Sequence, residues 1–340
     1  MSRRQRDNAC GRLLTLVLAA ALALVGCGEQ DESTGIADNY DLRDQQVRER
    51  GGGNTTRFVV GSKDFEEQQI LGQITMQALE AAGAEVVDRI DLGDSEDVRR
   101  ALETGEIDLY WEYTGTGALI HLGTPDPPSD PDELFTTVDE VDRRRNGIAW
   151  IARAPANNSY ALVASAQVYD EGSDQYDNDL AAVRTISDLG TLLEDAPGKA
   201  TICVGQEFSE RADGLPGLER HYGLKFPDDQ VIVLDDDAVY PAVAQGRQCA
   251  FGSVFETSGY LDEYEFGMLE DDQDFFLAYN PAVTLDAQLL EDYPDLSPLF
   301  EDIAERLDNE TLRALSAKML VDNLPASDVA EDWLVDQGLT

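Results

Sequence analysis

Residues 57–113 alternate between short apolar runs and amphipathic stretches, and this alternation constrains the fold more than any other feature of the chain. The run Arg57–Gly61 predicts a buried strand, followed by a helical spacing of apolar residues that Gly83 ends. A second strand near Glu85–Leu92, a second helix and a third strand at Ile107–Tyr113 complete the unit. This order predicts a parallel α/β sheet, in which ligands bind at the carboxyl ends of the strands.

The alternation continues toward the C-terminus and predicts a second unit of the same class. Further strands are expected at Tyr160–Ala164, Ala200–Val204, Val231–Leu234, Ala250–Phe255 and Phe275–Thr284. Asp64 and Ser95 are expected to cap the first two helices. A length of 340 residues suits two such units, which predicts two lobes with a cleft that closes by rotation about a hinge.

The N-terminus has the pattern of an export signal. Several arginines precede the apolar run Leu13–Val25, which is too short to span a bilayer. The segment Leu24–Cys27 (LVGC) resembles the lipobox of bacterial lipoproteins, so we predict a signal peptide over residues 1–26 and a lipid on Cys27. A plain secretory signal with a chance cysteine is the alternative. Residues 27–56 are polar and end in glycines, which predicts a flexible tether.

The charge balance excludes one large class of function. The chain has 25 Lys and Arg against 68 Asp and Glu, a net charge of −43. Nucleic-acid binding requires clustered cations, so this balance argues against it. Acidic residues spread over a chain with a normal apolar content instead indicate a strongly solvated, salt-tolerant surface.

The cysteines divide into two pairs. Cys10 lies in the predicted signal peptide and Cys27 is the predicted lipid site, which leaves Cys203 and Cys249 in an oxidising compartment. We predict a disulfide between them; two free buried thiols is the alternative. Neither lies at metal-ligand spacing from another Cys or His, so no metal site is expected.

Three motifs carry a resemblance to a known family. They are Val60–Gln68 (VGSKDFEEQ), Gly105–Thr116 (GEIDLYWEYTGT) and Glu207–Pro216 (EFSERADGLP). Together they resemble the glycine betaine/choline/carnitine-binding proteins of osmoprotectant ABC importers, a branch of the type II periplasmic binding proteins. The resemblance covers roughly residues 57–340 and implies a bilobal α/β fold with an interlobe cleft.

The resemblance also implies a domain division. We expect residues 57–156 and 267–340 to form the first lobe and residues 157–266 to form the second. No internal repeat is found in the chain.

The chemistry of the expected ligand explains which residues matter. A trimethylammonium group has no hydrogen to donate, so aromatic faces bind it best, while a carboxylate end requires cationic or hydroxyl donors. The resemblance implies a cage and a carboxylate site composed of Tyr113, Tyr160, Phe255 and Tyr279, and of Lys63, Thr116 and Arg211. Each aromatic has the alternative of an ordinary core position, Lys63 that of a surface lysine, and Arg211 that of an ion pair with Glu210 or Asp213.

The expected function is therefore capture of a solute. We predict a monomeric, lipid-anchored extracytoplasmic protein that delivers glycine betaine to an ABC permease and its ATPase, without a cofactor. The alternatives are a choline- or carnitine-binding protein and a ligand-sensing lipoprotein of the same fold. The two histidines, His121 and His221, lie beside no nucleophile or metal-ligand motif, which argues against an enzyme.

Overall fold

The computed structural model describes residues 35–43 and 56–340. The predicted signal peptide, residues 1–26, and the predicted lipid site at Cys27 lie outside the described residues. Within the described part of the chain, no helix combines the length and the apolar character needed to cross a membrane.

The first part of the chain provides four strands of one sheet. The strands are β1 Arg57–Gly61, β2 Glu85–Arg89, β3 Leu109–Tyr113 and β4 Ile148–Ile151. The helices are α1 Ile36–Asn39, α2 Glu66–Ala81, α3 Ser95–Thr104, α4 Thr114–Thr116, which a π-helical turn at Gly117–His121 extends, and α5 Pro131–Asn146.

The middle of the chain forms a second sheet. Its strands are β5 Tyr160–Ser165, β6 Ile202–Gly205, β7 Val231–Leu234, β8 Phe251–Phe255 and β9 Phe266–Met268. Its helices are α6 Asn178–Ala181, α7 Asp188–Asp195, α8 Gln206–Glu210, α9 Leu215–Tyr222, α10 Asp236–Ala244 and α11 Tyr260–Glu263, with 3₁₀ turns at Ala166–Tyr169, Pro197–Lys199 and Asp228–Gln230.

The last part of the chain returns to the first sheet. It consists of β10 Pro281–Asp286, α12 Ala287–Asp292, α13 Leu296–Ala304, α14 Asn309–Leu320 and α15 Ala326–Asp336. The strand orders are β2-β1-β3-β10-β4 and β7-β6-β8-β5-β9. β1 pairs in parallel with β2 and β3, whereas β10 runs antiparallel between β3 and β4. The predicted two-lobed α/β architecture is confirmed.

The central strand β3 shows why the first sheet is covered on both faces. Leu109 and Trp111 pack into one apolar cluster with Phe58, while Tyr110 between them packs into a second cluster on the opposite face. Successive side chains of a strand point to opposite faces, so a strand that is buried at every position requires helices on both sides. β3 therefore fixes the position of its last residue, Tyr113.

Two chain segments cross between the lobes, and they run side by side. The Ala154 N–H donates to the Pro281 carbonyl at 2.8 Å, and the Asn158 N–H donates to the Tyr279 carbonyl at 3.0 Å. The return crossing lies later than expected from sequence. Residues 267–276, predicted for the first lobe, stay with the second, because Met268 pairs with Val163 and the residues after it pack into the second lobe's core.

Residues 35–43, part of the predicted tether over 27–56, pack against the first lobe. The side chains of Ile36 and Leu42 are 1% and 0% exposed, and their backbone N–H groups donate to the carbonyls of Leu339 and Ala82. The prediction of a flexible tether is therefore corrected for this segment. The physical reason is that its two apolar residues are spaced to enter the core while the acidic ones between them remain outside.

The helix caps differ from those predicted. Phe65, not Asp64, precedes α2 and provides no side-chain cap, whereas Asp94 caps α3 by accepting from the backbone N–H groups of Glu96 and Asp97. Ser95, the predicted cap, is the first residue inside α3. The last predicted strand begins later, at β10, because the residues before it form the return crossing.

Cys203 and Cys249 form a disulfide in the structure. Cys203 lies in β6, and Cys249 precedes the neighbouring strand β8, which places their Cα atoms 5.6 Å apart. Both side chains belong to an apolar cluster on one face of the second sheet.

Candidate ligand-binding site

A cavity of about 570 Å³ lies between the two lobes, at the carboxyl ends of several strands. All seven residues singled out from sequence line it: Lys63, Tyr113, Thr116, Tyr160, Arg211, Phe255 and Tyr279. Lys63 follows β1 and Tyr113 ends β3, whereas Tyr160 begins β5 and Phe255 ends β8. The strand ends of both lobes thus bring together residues that are far apart in sequence.

Five aromatic rings surround part of this cavity. Phe65 lies 5.5 Å from Phe255 and 6.1 Å from Tyr113 between ring centroids, in stacked orientations. Tyr160 lies 4.9 Å from Phe255 and 6.0 Å from Tyr279. Phe65 was not singled out from sequence, although it lies inside the first motif, two residues after Lys63. We refer to these five residues as the aromatic cluster.

Hydrogen bonds fix the tyrosines at its two ends. The Tyr113 hydroxyl donates to Glu67 Oε1 at 2.7 Å, and the Tyr279 hydroxyl donates to Asp213 Oδ2 at 2.7 Å. Burial, reinforced by these carboxylates, raises the pKa of both phenols well above 10, so both remain neutral. Each ring is therefore held in place through its hydroxyl group at the wall of the cavity.

Lys63 is already paired in the structure. Its Nζ lies 2.6 Å from Glu112 Oε1, and both side chains are buried. Glu112 Oε2 contacts the Tyr110 hydroxyl at 2.9 Å and His121 Nε2 at 2.8 Å. Burial alone would raise the pKa of Glu112, but Lys63 and His121 outweigh it and hold that pKa well below the usual range. The ammonium also lies 5.0 Å from the Tyr113 ring centroid, so Lys63 borders the aromatic cluster.

Arg211 forms the ion pair considered as an alternative to a ligand-binding role. Its Nε and Nη2 donate to the two carboxylate oxygens of Asp213 at 2.9 and 2.6 Å, and its Nη1 donates to Glu207 at 2.5 Å. Glu210 is not its partner. Nη2 also donates to the Thr116 hydroxyl at 3.1 Å, which connects the second lobe to the first.

Two carboxylates link the lobes across the cleft. Glu207, from α8, accepts from the Ser95 backbone N–H at 2.8 Å and from the Ser95 hydroxyl at 3.1 Å. Glu67, from α2, accepts from the Thr257 hydroxyl of the second lobe. Glu207 was not predicted, although it is the first residue of the third motif. Glu67 was not predicted either, although it lies inside the first motif.

The wall of the cavity is strongly acidic. Its lining includes Asp64, Glu66, Asp94, Asp97, Glu207, Asp235, Asp236 and Asp237. Burial, together with repulsion from Glu207 and Asp237, raises the pKa of Asp236 to about 7. Among the described residues, no three His, Cys, Asp or Glu side chains are grouped so as to hold a metal ion.

Comparison with known proteins identifies the family. Residues 57–336 match the OpuAC family, described as the substrate-binding domain of ABC-type glycine betaine transport systems. The glycine betaine-binding protein YehZ of Escherichia coli is 31% identical, with 83% of this chain and 90% of that protein covered. The glycine-betaine-binding protein of Pseudomonas aeruginosa is 32% identical, with 82% and 88% covered.

A solved structure supports the same assignment. The apo structure of E. coli YehZ superposes with a TM-score of 0.61 at 30% identity and covers 84% of this chain and 99% of its own. The family match spans most of the chain, including both sheets and the cavity between them. The chain therefore belongs to the OpuAC family of substrate-binding domains of ABC-type glycine betaine transport systems.

Proposed function

We propose that this protein captures glycine betaine in the interlobe cavity and delivers it to an ABC importer. The observation that carries the proposal is the aromatic cluster: five rings from both lobes meet at one cavity in a chain of this family. We propose glycine betaine rather than choline or carnitine because the two relatives described above, at 31% and 32% identity, bear its name.

The aromatic cluster suits the trimethylammonium end of the ligand. A quaternary ammonium cannot donate a hydrogen bond, but it is attracted to the negative face of an aromatic ring, by about 0.5–2 kcal/mol for each ring. The low exposure of Tyr113, Tyr160 and Tyr279, at most 7%, strengthens that attraction because water competes less. Phe255 presents a ring face without a hydroxyl.

Thr116 and Arg211, with Lys63 nearby, suit the carboxylate end. Thr116 and Arg211 are in contact in the lining of the cavity and supply a hydroxyl and a guanidinium, and a guanidinium forms charge-assisted hydrogen bonds with carboxylates. In this mechanism the ligand bridges the lobes and favours the closed arrangement, and no bond is made or broken. The protein is thus proposed to act as a binding component and not as an enzyme.

We further propose that a lipid anchor holds the protein at the membrane. A diacylglycerol on Cys27 would anchor it at the extracytoplasmic face of the membrane, where the loaded monomer would meet the permease and its ATPase. Import is favoured over sensing because the matched family is described by a transport system.

Isothermal titration calorimetry tests the proposal directly. A protein beginning after the signal peptide is titrated with glycine betaine, choline, carnitine and proline at high salt. We expect micromolar or tighter binding of glycine betaine and no heat with proline. Absence of binding by all three methylated compounds would overturn the proposed ligand class. Replacing Tyr160 by Ala, compared with Tyr176→Ala outside the cavity, should weaken binding at least about tenfold, or 1.4 kcal/mol.

A further inference from the structure

Both cations that line the cavity are already neutralised by carboxylates of the protein. Lys63 is paired with Glu112, and Arg211 is paired with Asp213 and Glu207. No other Lys or Arg is among the described residues that line the cavity. A ligand carboxylate that enters this region would therefore meet three carboxylates around two cations, and like charges at short range oppose its entry.

Glu207 differs from the other two carboxylates in its donors. It accepts from the first backbone N–H of α3, from the Ser95 hydroxyl and from Arg211 Nη1. A helix N-terminus, a hydroxyl and a guanidinium are the groups that recognise a ligand carboxylate in proteins. These donors come from both lobes and converge on one carboxylate, so Glu207 occupies a carboxylate site that spans the cleft.

Glu207 is also the most readily displaced of the three. Its side chain is 30% exposed, whereas those of Asp213 and Glu112 are 3% and 0% exposed. It lies on the short helix α8, beside the cavity, and Arg211 stays paired with Asp213 when Glu207 leaves. Lys63 and Arg211 outweigh the effect of burial and hold the pKa of Glu207 below its usual value, so Glu207 is ionised at neutral pH.

We propose that Glu207 occupies the ligand's carboxylate site in the empty protein, and that its displacement decides which class of quaternary ammonium compound binds. A zwitterion such as glycine betaine must displace Glu207 from Ser95 and Arg211. A cation without a carboxylate, such as choline, leaves Glu207 in place and uses it as a counter-ion. This inference rests on the proposed function, because it requires that a quaternary ammonium compound binds in the cavity.

The variant Glu207→Gln tests the inference through two effects of opposite sign. The amide keeps the shape of the side chain but removes its charge, so it competes less well for Ser95 and Arg211 and no longer attracts a cation. By calorimetry, glycine betaine is expected to bind about tenfold more tightly than to the wild-type protein, and choline about tenfold more weakly. A shift of both affinities in the same direction, or no shift in either, would overturn the inference.

Glu210→Gln is the matched control. Glu210 lies on the same helix α8, is exposed and does not line the cavity. Glu210→Gln therefore changes the net charge by the same amount as Glu207→Gln without changing the lining of the cavity. Both affinities are expected to stay within about twofold of the wild type. If neither ligand binds the wild-type protein, the proposed function fails, and this inference fails with it.

Crystal structures of the wild-type complexes provide a second test that does not depend on the folding of a variant. With glycine betaine, the Glu207 carboxylate is expected to have left Ser95 and Arg211, and the ligand carboxylate to accept their hydrogen bonds. With choline, Glu207 is expected to keep both partners. A Glu207 carboxylate that keeps both partners in the two complexes would refute the inference while leaving the proposed function intact.

Discussion

Glu66 is the first residue of α2 and lies on the cavity wall with only 8% of its surface exposed. Its Oε1 accepts from the Ser316 hydroxyl at 3.1 Å, which does not compensate for the loss of water. Burial, and then repulsion from Asp237, raises the pKa of Glu66 to about 8. The folded protein therefore holds a proton on Glu66 that the unfolded chain releases at about 4.5.

This raised pKa predicts a pH dependence of stability. Between about pH 4.5 and 8 the folded state binds the extra proton, so the contribution of Glu66 to the free energy of unfolding falls as the pH rises. Glu66→Gln should remove this fall and be more stable than the wild type above pH 8, by on the order of 5 kcal/mol at about 1.4 kcal/mol for each pKa unit. Urea unfolding at pH 5 and 8.5 measures the difference.

The control for this prediction is Glu80→Gln. Glu80 lies on the same helix, α2, but is exposed, and its replacement should change stability by less than about 0.5 kcal/mol at either pH. An equal difference between Glu66→Gln and the wild type at pH 5 and 8.5 would contradict the assignment.

At the residue scale, the sequence predicts which residues line the cavity better than it predicts their ion-pair partners. The seven residues singled out from sequence all line one cavity, because most of them lie within three residues of strand ends that face the cleft between the lobes. Asp213, one of the two alternative partners of Arg211, forms the ion pair, whereas the partner of Lys63 was not predicted from a chain with 68 acidic residues. Lys63 meets Glu112 because β1 and β3 are neighbouring strands, a pairing of segments 49 residues apart that local sequence does not encode.

The segment at residues 35–43 provides a prediction about an element. Burial of a large aliphatic side chain stabilises the folded state by about 1.5–3 kcal/mol, and ordering the segment offsets part of the gain from Ile36 and Leu42. The free energy of unfolding of a protein beginning at residue 44 should therefore be about 3 kcal/mol lower than that of a protein beginning at residue 35.

Denaturant titration of the two proteins measures this difference. Ile36→Ser with Leu42→Ser in the longer protein should reproduce most of the loss, whereas Asp38→Ser, at an exposed position of α1, should not. Equal stability of the two truncated proteins would contradict the packing described above.

The positions of the strands could be predicted from the sequence, whereas their order in the sheets could not. Apolar runs at a regular spacing indicate where strands begin, and most lie within a few residues of the observed bounds. The insertion of β10 between β3 and β4 is a pairing of distant segments, and no local pattern reports it. The cap of α3 was misassigned because Asp94 and Ser95 are adjacent, and either residue type can cap a helix.

The charge of the whole molecule predicts a response to ionic strength. At a net charge of −43 the compact state suffers more self-repulsion than the expanded one, and salt screens it. The midpoint of thermal unfolding should rise by several degrees between about 0.01 and 0.5 M KCl, as the screening length falls from about 30 Å to a few ångströms. Circular dichroism recorded during heating measures this midpoint at each salt concentration.

A second salt distinguishes screening from ion-specific effects. NaCl at the same ionic strengths should give the same rise, because screening depends on ionic strength alone. A flat midpoint over this range in both salts would show that the acidic surface does not limit stability. A rise in only one of them would point to binding of a specific ion.

The paired crossings limit how the two lobes can move. The bonds from Ala154 to Pro281 and from Asn158 to Tyr279 hold the two crossings side by side, so the lobes are joined along one line about which they can rotate. Rotation about this line is therefore the motion that the connection between the lobes favours. A distance between a probe on each lobe should therefore report this rotation when ligand is added.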